Sequence, residues 1–429
     1  MPTSRGWLVA ATGNTLFVAG LIFGARALEQ LGVALIALVL IALGVVRLGR
    51  HDLAVERAIV PERARAQQEV TVNLTLNNRG GGPAPLLLLE DRLPARLPGR
   101  SRFTLNGVEP AGRREASYTV RPQRRGRYEI GPLTLRMVDP FGLTKISSSA
   151  APAQGFLVHP RTEPLTLPRD AGDRRSVSTS ALRQPTGAQG EDFYALREYV
   201  QGDDLRKVHW PSTAKRGKVM IRQEETPWHT RATIVLDDRV SAHGAGGDPA
   251  SFEQAVEATA SVVELYDGTG YAYRLTGAHH PGVPSARGSA HLHRCLDLLA
   301  TLQPGRDGSK DVLLSRLIDM EARGAAEETL VLVTGSLAPD IATVLGRLRR
   351  MFKQIIVVSF PAHRFSSLPT KQRWDGERVA GEVTRNLARS GIRCVVLGPG
   401  ESLASAWNSA ASGKSRGGDG TWAQKPELV

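Results

Sequence analysis

The chain has 429 residues, a formal net charge of +13 and 41% hydrophobic residues, so it can bury cores in about three domains and is no disordered chain. Two distant cysteines, Cys295 and Cys394, give neither a disulfide framework nor a zinc-ligand spacing, and read as buried structural thiols. The positive charge is mostly Arg in a chain rich in Gly, Ala and Pro, a compositional bias rather than a sign of nucleic acid, and aromatics at 5% exclude stacking platforms for single strands.

The N-terminus opens with two apolar runs. Trp7 to Ala25 is interrupted only by Thr12, Asn14 and Thr15 among polar side chains, and Leu31 to Val46 carries no charge. Each is close to the ~20 residues of a spanning helix. Arg26, Glu29 and Gln30 form a short connection, so residues 1–50 read as a transmembrane hairpin. Arg5 before it and Arg47, Arg50 and Arg57 after it place both ends in the cytoplasm. Ala25-Arg26-Ala27 also resembles a signal-peptide cleavage site, which would leave the second run as a stop-transfer segment. Either way the chain is expected in the inner (cytoplasmic) membrane, with its soluble domains in the cytoplasm.

Residues 51–160 read as a small β-sandwich. Val70–Leu76, Ala116–Val120 and Leu133–Val138 alternate with period two, and Gly80–Pro83, Pro110–Gly112 and Asp139–Gly142 supply turns. Ten Arg stand against four acids between Pro85 and Arg127, which allows contact with anionic lipid or a solvated face. Residues 161–189, rich in Pro, Ser, Thr, Arg and Gly, read as a long and partly mobile connector.

Residues 190–229 form a charged stretch around one Trp. A helix is expected over Phe193–Val200, ended by Gly202. Arg197 lies on that helix, and Asp203, Asp204, Arg206, His209, Trp210 and Lys215 crowd together after it. They read either as an ion-pair joint with Trp210 packed at its centre, or as an interaction surface. A catalytic alternative would use His209 as base with Asp203 or Asp204 as its orienter. Ser212, following Pro211, lacks the elbow of a nucleophile.

Residues 230–411 alternate strand and helix. Strands are expected at Ala232–Leu236, Tyr271–Leu275, Thr329–Val333, Gln354–Phe360 and Cys394–Leu397. Helices are expected at Phe252–Tyr266 with Ser251 as N-cap, then His291–Leu302, Asp311–Arg323, Ile341–Met351, Val379–Ser390 and Ser402–Ala410. Continuous apolar strands between helices predict a doubly wound parallel sheet, whose sites lie beyond the strands' carboxyl ends. Residues 412–429 read as a disordered tail.

At the first strand end, Asp237 and Ser241 are the candidates for a Mg²⁺ site of von Willebrand factor A type, but Arg239 stands where the first Ser of Asp-x-Ser-x-Ser belongs. A guanidinium there repels a cation, so no Mg²⁺ and no other cofactor is expected. The alternative is that Asp237 or Asp238 caps a turn or pairs with Arg239. Gly398-Pro399-Gly400 could hold a phosphate, although a tight turn is the simpler use. Gly413-Lys414-Ser415 echoes a P-loop, but Asn408 stands in place of its first Gly. His279, His280, His291 and His293 lack a zinc-ligand arrangement.

Three motifs resemble the bacterial family catalogued as domain of unknown function 58. They are Arg125-Gly-Arg-Tyr128 with Ile130-Gly-Pro132 and Asp139-Pro-Phe-Gly-Leu143; Phe193-x-x-Leu196-Arg197-x-Tyr199-x-x-Gly202-Asp203-Asp204-x-Arg206; and Val208-His209-Trp210-x-x-Thr213-Ala214-Lys215. The layout is similar too: a helical hairpin, a β domain, then a von Willebrand factor A-like domain. The resemblance implies work alongside a MoxR-type AAA+ ATPase, in protein maturation or envelope stress. The expected function is therefore a membrane-anchored, non-enzymatic adaptor. The alternatives are binding of anionic lipid through the β domain, or an enzyme built on His209.

Overall fold

A computed structural model of the chain describes residues 2–411 apart from 49–51, 85–86, 100, 106, 140, 169–193, 200–207, 225–230, 245–249, 306–310, 324–326 and 367–369. The tail at 412–429, most of the connector, and Asp203, Asp204 and Arg206 lie outside the described residues. Contacts divide the chain into two compact units, Met1–Arg161 with Leu296–Leu302, and Thr162–Cys295 with Gln303–Val429.

The first unit begins with helices α1 (Ser4–Phe23) and α2 (Arg26–Leu48), both long and apolar enough to cross a membrane. They pack closely because Gly13 faces Gly32: a Cβ on Gly32 would lie 2.6 Å from the Gly13 carbonyl oxygen. Leu8, Leu21, Ile22, Leu40 and Ile41 point outward and are exposed.

Ten strands follow: β1 (Leu53–Val60), β2 (Arg63–Arg65), β3 (Val70–Asn78), β4 (Leu87–Asp91), β5 (Arg102–Leu105), β6 (Arg113–Val120), β7 (Gly126–Ile130), β8 (Leu133–Val138), β9 (Lys145–Ala151) and β10 (Gln154–His159). They form antiparallel sheets β1-β3-β6 and β5-β4-β8-β9, and a small sheet β2-β10-β7 in which β2 runs parallel to β10. The alternation predicted for β3 is real: Val70, Val72, Leu74 and Leu76 face one buried cluster shared with Leu87, Leu89, Leu133 and Leu135. Inside this unit Arg57 on β1 makes two hydrogen bonds to Asp91 at the end of β4, at 3.0 and 2.7 Å, and the Tyr118 hydroxyl on β6 donates to the same carboxylate at 2.8 Å.

In the second unit, β11 (Tyr194–Glu198) pairs antiparallel with β12 (Met220–Glu224), with α3 (Trp210–Arg216) between them. Within the span Phe193–Val200 expected as a helix, Tyr194–Glu198 is thus a strand. Ala195-Leu196-Arg197-Glu198 has helical propensity, but pairing across Leu196↔Arg222 overrides it.

The rest comprises β13 (Arg231–Leu236), α4 (Val240–His243), α5 (Ala250–Gly268), β14 (Ala272–Gly277), β15 (Val283–Ala286), α6 (Ser289–Thr301), α7 (Val312–Arg323), β16 (Glu327–Thr334), α8 (Pro339–Leu348), β17 (Phe352–Ser359), α9 (Ala362–Phe365), α10 (Thr370–Arg389), β18 (Arg393–Val396) and α11 (Leu403–Ala411). The sheet order is β15-β14-β13-β16-β17-β18, parallel except for β15. Val235, Leu330, Leu332, Ile355 and Val357 cluster with residues of α7, α8 and α10, while the alternate positions Ile234, Val331, Val333, Ile356 and Val358 are buried as well. Burial on both faces is why these strands read as unbroken apolar runs. Edge strand β15 has no such run and carries Pro284, which an edge tolerates, so no strand was expected there.

One local expectation is corrected, and one segment is placed. Ser251 lies inside α5, not before it. The first part of the connector, residues 162–168, is fastened to the α/β unit: Trp407 Nε1 donates to the Thr166 carbonyl at 2.9 Å, and Thr166 Oγ1 donates to Asn408 Oδ1 at 2.7 Å.

Candidate functional site

Strand order reverses between β13 and β16, so their carboxyl ends, Asp237 and Thr334, meet at the switch point. Asp237 is fully buried and Arg239 nearly so. The two form a bidentate pair, Nε to Oδ1 at 2.8 Å and Nη2 to Oδ2 at 2.8 Å. The remaining guanidinium nitrogen, Nη1, reaches Asp311 Oδ2 at 2.6 Å, and Thr334 Oγ1 donates to Asp237 Oδ2 at 2.7 Å. A planar guanidinium thus sits between the Asp237 and Asp311 carboxylates, where a cation on Asp237 would have to go, and Ser241 is exposed on α4. This donor set fits an internal ion pair and does not fit Mg²⁺. Among the described residues no group of three or more His, Cys, Asp or Glu could hold a metal.

Asp238, also buried, accepts the backbone N–H of His279 at 2.8 Å and of His280 at 3.2 Å, with His279 Nδ1 3.2 Å away. Those two histidines therefore anchor a loop to the strand end. His243 is buried beneath the site. Burial lowers its pKa, against the opposing pull of the Asp237 carbonyl. The neutral ring donates from Nε2 to the Asp237 carbonyl at 2.7 Å, which leaves Nδ1 as an acceptor 3.0 Å from Ser251 Oγ. The Ser251 hydroxyl is also 2.7 Å from the Phe360 carbonyl. It has one proton for two acceptors.

The candidate phosphate turn is filled in the opposite sense. Gly398 N donates to Glu401 Oε2 at 2.7 Å. At the N-terminus of α11, Glu163 takes the Ala404 N–H at 2.8 Å and the Ser402 hydroxyl at 2.6 Å. Carboxylates of the chain itself occupy the positive end of that helix.

The charged stretch is more open. Trp210 is 71% exposed, so the expectation of a Trp packed at the centre of a joint is wrong. His209 caps α3: its Nδ1 accepts from Ser212 N at 3.3 Å and lies 2.9 Å from Ser212 Oγ. Thr213 Oγ1 donates to the His209 carbonyl at 3.0 Å and accepts Met220 N–H at 3.0 Å, which ties the helix to β12. Met220 is buried beneath it. Lys215 is exposed in the last turn of α3. Arg197 lies on β11, described only as backbone. The segment thus joins His209, Trp210 and Lys215 on one short helix and its cap. Asp203, Asp204 and Arg206 remain outside the description.

Sequence reasoning missed Asp311 and Thr334 as partners of Asp237, and Thr213 as the hinge pin of α3. The Asp311 carboxylate also caps α7 through Leu314 N at 2.9 Å, a position that reads only as a helix start. The thiols resist ionisation: burial pushes Cys295 and Cys394 up to about 12, so neither is a nucleophile at neutral pH. Cys394 is half-buried rather than buried.

The chain is 22% identical over 292 residues to the uncharacterised protein YeaD of Bacillus subtilis (strain 168), covering 64% of this chain and 68% of that one. Among solved structures, the CARDB domain of a Pyrococcus furiosus protein matches at 16% identity, 25% of this chain, 93% of that chain and a TM-score of 0.20. A chain of the human seminal-plasma complex of zinc 2-glycoprotein and prolactin inducible protein matches at 11% identity, 24% of this chain, 92% of that chain and a TM-score of 0.19. A family profile described as protein of unknown function DUF58 matches residues 195–378, which take in the Trp210 helix and the Asp237–Arg239–Asp311 cluster. Residues 195–378 thus match the DUF58 family, the one that the motifs of the charged stretch resemble.

Proposed function

We propose that the protein is a membrane-anchored, non-enzymatic adaptor that docks a cytoplasmic partner through the Trp210 helix. The observation that carries this reading is the 71% exposure of Trp210 on a short helix pinned to β12 at the buried Met220, with Lys215 exposed in the last turn of the same helix. An indole held outward on a rigid support is the kind of anchor that dominates binding energy at interfaces. The strand order and the Asp237 position support a von Willebrand factor A-like fold for the second unit. Arg239 and Glu163 filling the cation and anion positions support protein binding over small-ligand chemistry. The two apolar helices support an inner-membrane anchor, with both units on the cytoplasmic side.

The partner implied by the family resemblance is a MoxR-type AAA+ ATPase, coupled through the adaptor to a membrane client. The test is affinity purification of the membrane-embedded protein with mass spectrometry, wild type beside Trp210→Ala and Lys215→Ala. Enrichment of such an ATPase by the wild type and its loss from both folded variants is the expected result. Equal recovery by all three moves docking elsewhere on the surface. No ATPase with any of them removes the adaptor reading.

A further inference from the structure

The turn that carries Phe141 leaves the β unit and packs against the hairpin, within the same unit. Asp139 organises it: its carboxylate accepts from Phe141 N at 2.8 Å and from Thr144 N, and lies 3.0 Å from Thr144 Oγ1. Thr3 clamps the turn to the start of α1, its hydroxyl donating to the Gly142 carbonyl at 2.7 Å and its N–H to the Leu143 carbonyl at 2.8 Å. Thr144 Oγ1 lies 3.2 Å from the Ala42 carbonyl on α2. Leu143 is buried in a cluster with Val39 and Ala42, flanked by Val9, Ala10 and Leu38.

These contacts set the depth of the turn. Ala42 lies four residues inside the end of the apolar run that closes at Val46, and Val9 and Ala10 lie two and three residues inside the run that opens at Trp7. At a rise of about 1.5 Å per residue, Leu143 sits roughly 3–6 Å inside the apolar ends of both helices. Asp139, Leu143 and Thr144 are buried, yet Phe141 in the same turn is 63% exposed. A lone exposed Phe on a water-facing surface calls for no explanation. This one is held at a depth where the surrounding solvent of a spanning hairpin is the border between headgroups and acyl chains. Trp7, 66% exposed, starts its run at the same level, and Arg5 and Lys145 are exposed beside the two aromatics in sequence. Aromatic rings with flanking cations are the side chains that this border favours.

We infer that the Phe141 turn is a second membrane contact, a wedge from the β unit whose ring inserts among lipid chains next to the hairpin. The inference rests on the reading that α1 and α2 span the bilayer. It commits to lipid as the occupant, because the turn is continuous with the apolar flank of the helices.

The test uses the full chain in proteoliposomes of phosphatidylethanolamine and phosphatidylglycerol. Phe141→Cys is labelled with an environment-sensitive fluorophore; the unsubstituted chain, which carries Cys295 and the half-buried Cys394, is the labelling blank whose signal is subtracted. Leu40→Cys, exposed in mid-helix, is the reference for spanning. Lipids bearing a nitroxide near the headgroup should quench most of the emission at 141, while aqueous iodide should quench little. Lipid quenching at Leu40→Cys together with iodide quenching at 141 overturns the wedge and leaves the spanning hairpin intact. Lipid quenching at neither position overturns both.

Discussion

At the scale of single residues, the chemistry of the α/β unit turns on Arg239. Its guanidinium meets Asp237 and Asp311, with side chains 9%, 0% and 27% exposed. Removing one partner of such a pair strands a buried charge. Arg239→Ala should therefore lower stability by about 3–5 kcal/mol, read by urea denaturation, and Asp237→Asn in the same chain should recover part of it. His243 sets a pH dependence. Its folded pKa lies below the ordinary 6.5 because burial disfavours the charged ring. The unfolded chain then binds the proton first as pH falls. Stability is full above about pH 6.5 and declines below it. His291, lowered chiefly by burial as well, adds to the same decline. The loss in denaturation midpoint between about pH 7.5 and pH 5.5 should shrink, but persist, in His243→Gln. The pairing of Asp237 with Arg239 was legible, because the two are neighbours in sequence. Asp311 and Thr334 were not, because only the closed sheet brings them to the same strand end.

Among the elements, a buried ion pair joins the two main sheets of the β unit. Arg57 belongs to β1 and Asp91 to β4, with side chains 2% and 0% exposed. Arg57 also donates to the Ile130 carbonyl at 3.2 Å and the Pro152 carbonyl at 2.8 Å. Arg57→Met should cost about 3–5 kcal/mol by leaving Asp91 and two carbonyls short of a donor, whereas the exposed pair Arg113–Glu115 should tolerate Arg113→Ala with a loss under about 1 kcal/mol. Thermal melts of the two variants side by side check the contrast. Period-two strands and apolar runs gave away β3, β8, β13 and β16 from the sequence. Strand β11 was hidden, since its five residues take their conformation from β12 and not from their own propensity. The count of ten Arg against four acids between Pro85 and Arg127 does not show how they pair: Arg102 and Arg113 have acidic partners and Arg121 Nε bonds the Gln67 carbonyl.

For the whole molecule, the two units have separate hydrophobic clusters, one lined by Val70, Leu74 and Ile130 and the other by Val235, Leu330 and Val357. Separate cores predict two unfolding steps. In calorimetry Arg239→Ala should shift one transition and Arg57→Met the other. A single transition moved by both variants would show one cooperative block. The order of hairpin, β unit and α/β unit was legible, because each has its own periodicity. The fastening of residues 162–168 was not, since it depends on the backbone ends of α11 and on Glu163, whose carboxylate looks like any surface acid in the sequence.

Arg239 has one more consequence. A positive charge carried on the polypeptide is delivered by translation, at fixed stoichiometry, and cannot be chelated, diluted or exchanged for a competing ion. The strand ends it joins should hold the same shape whether the cell is replete with magnesium or starved of it, and a buried pair is shielded from ionic strength as well.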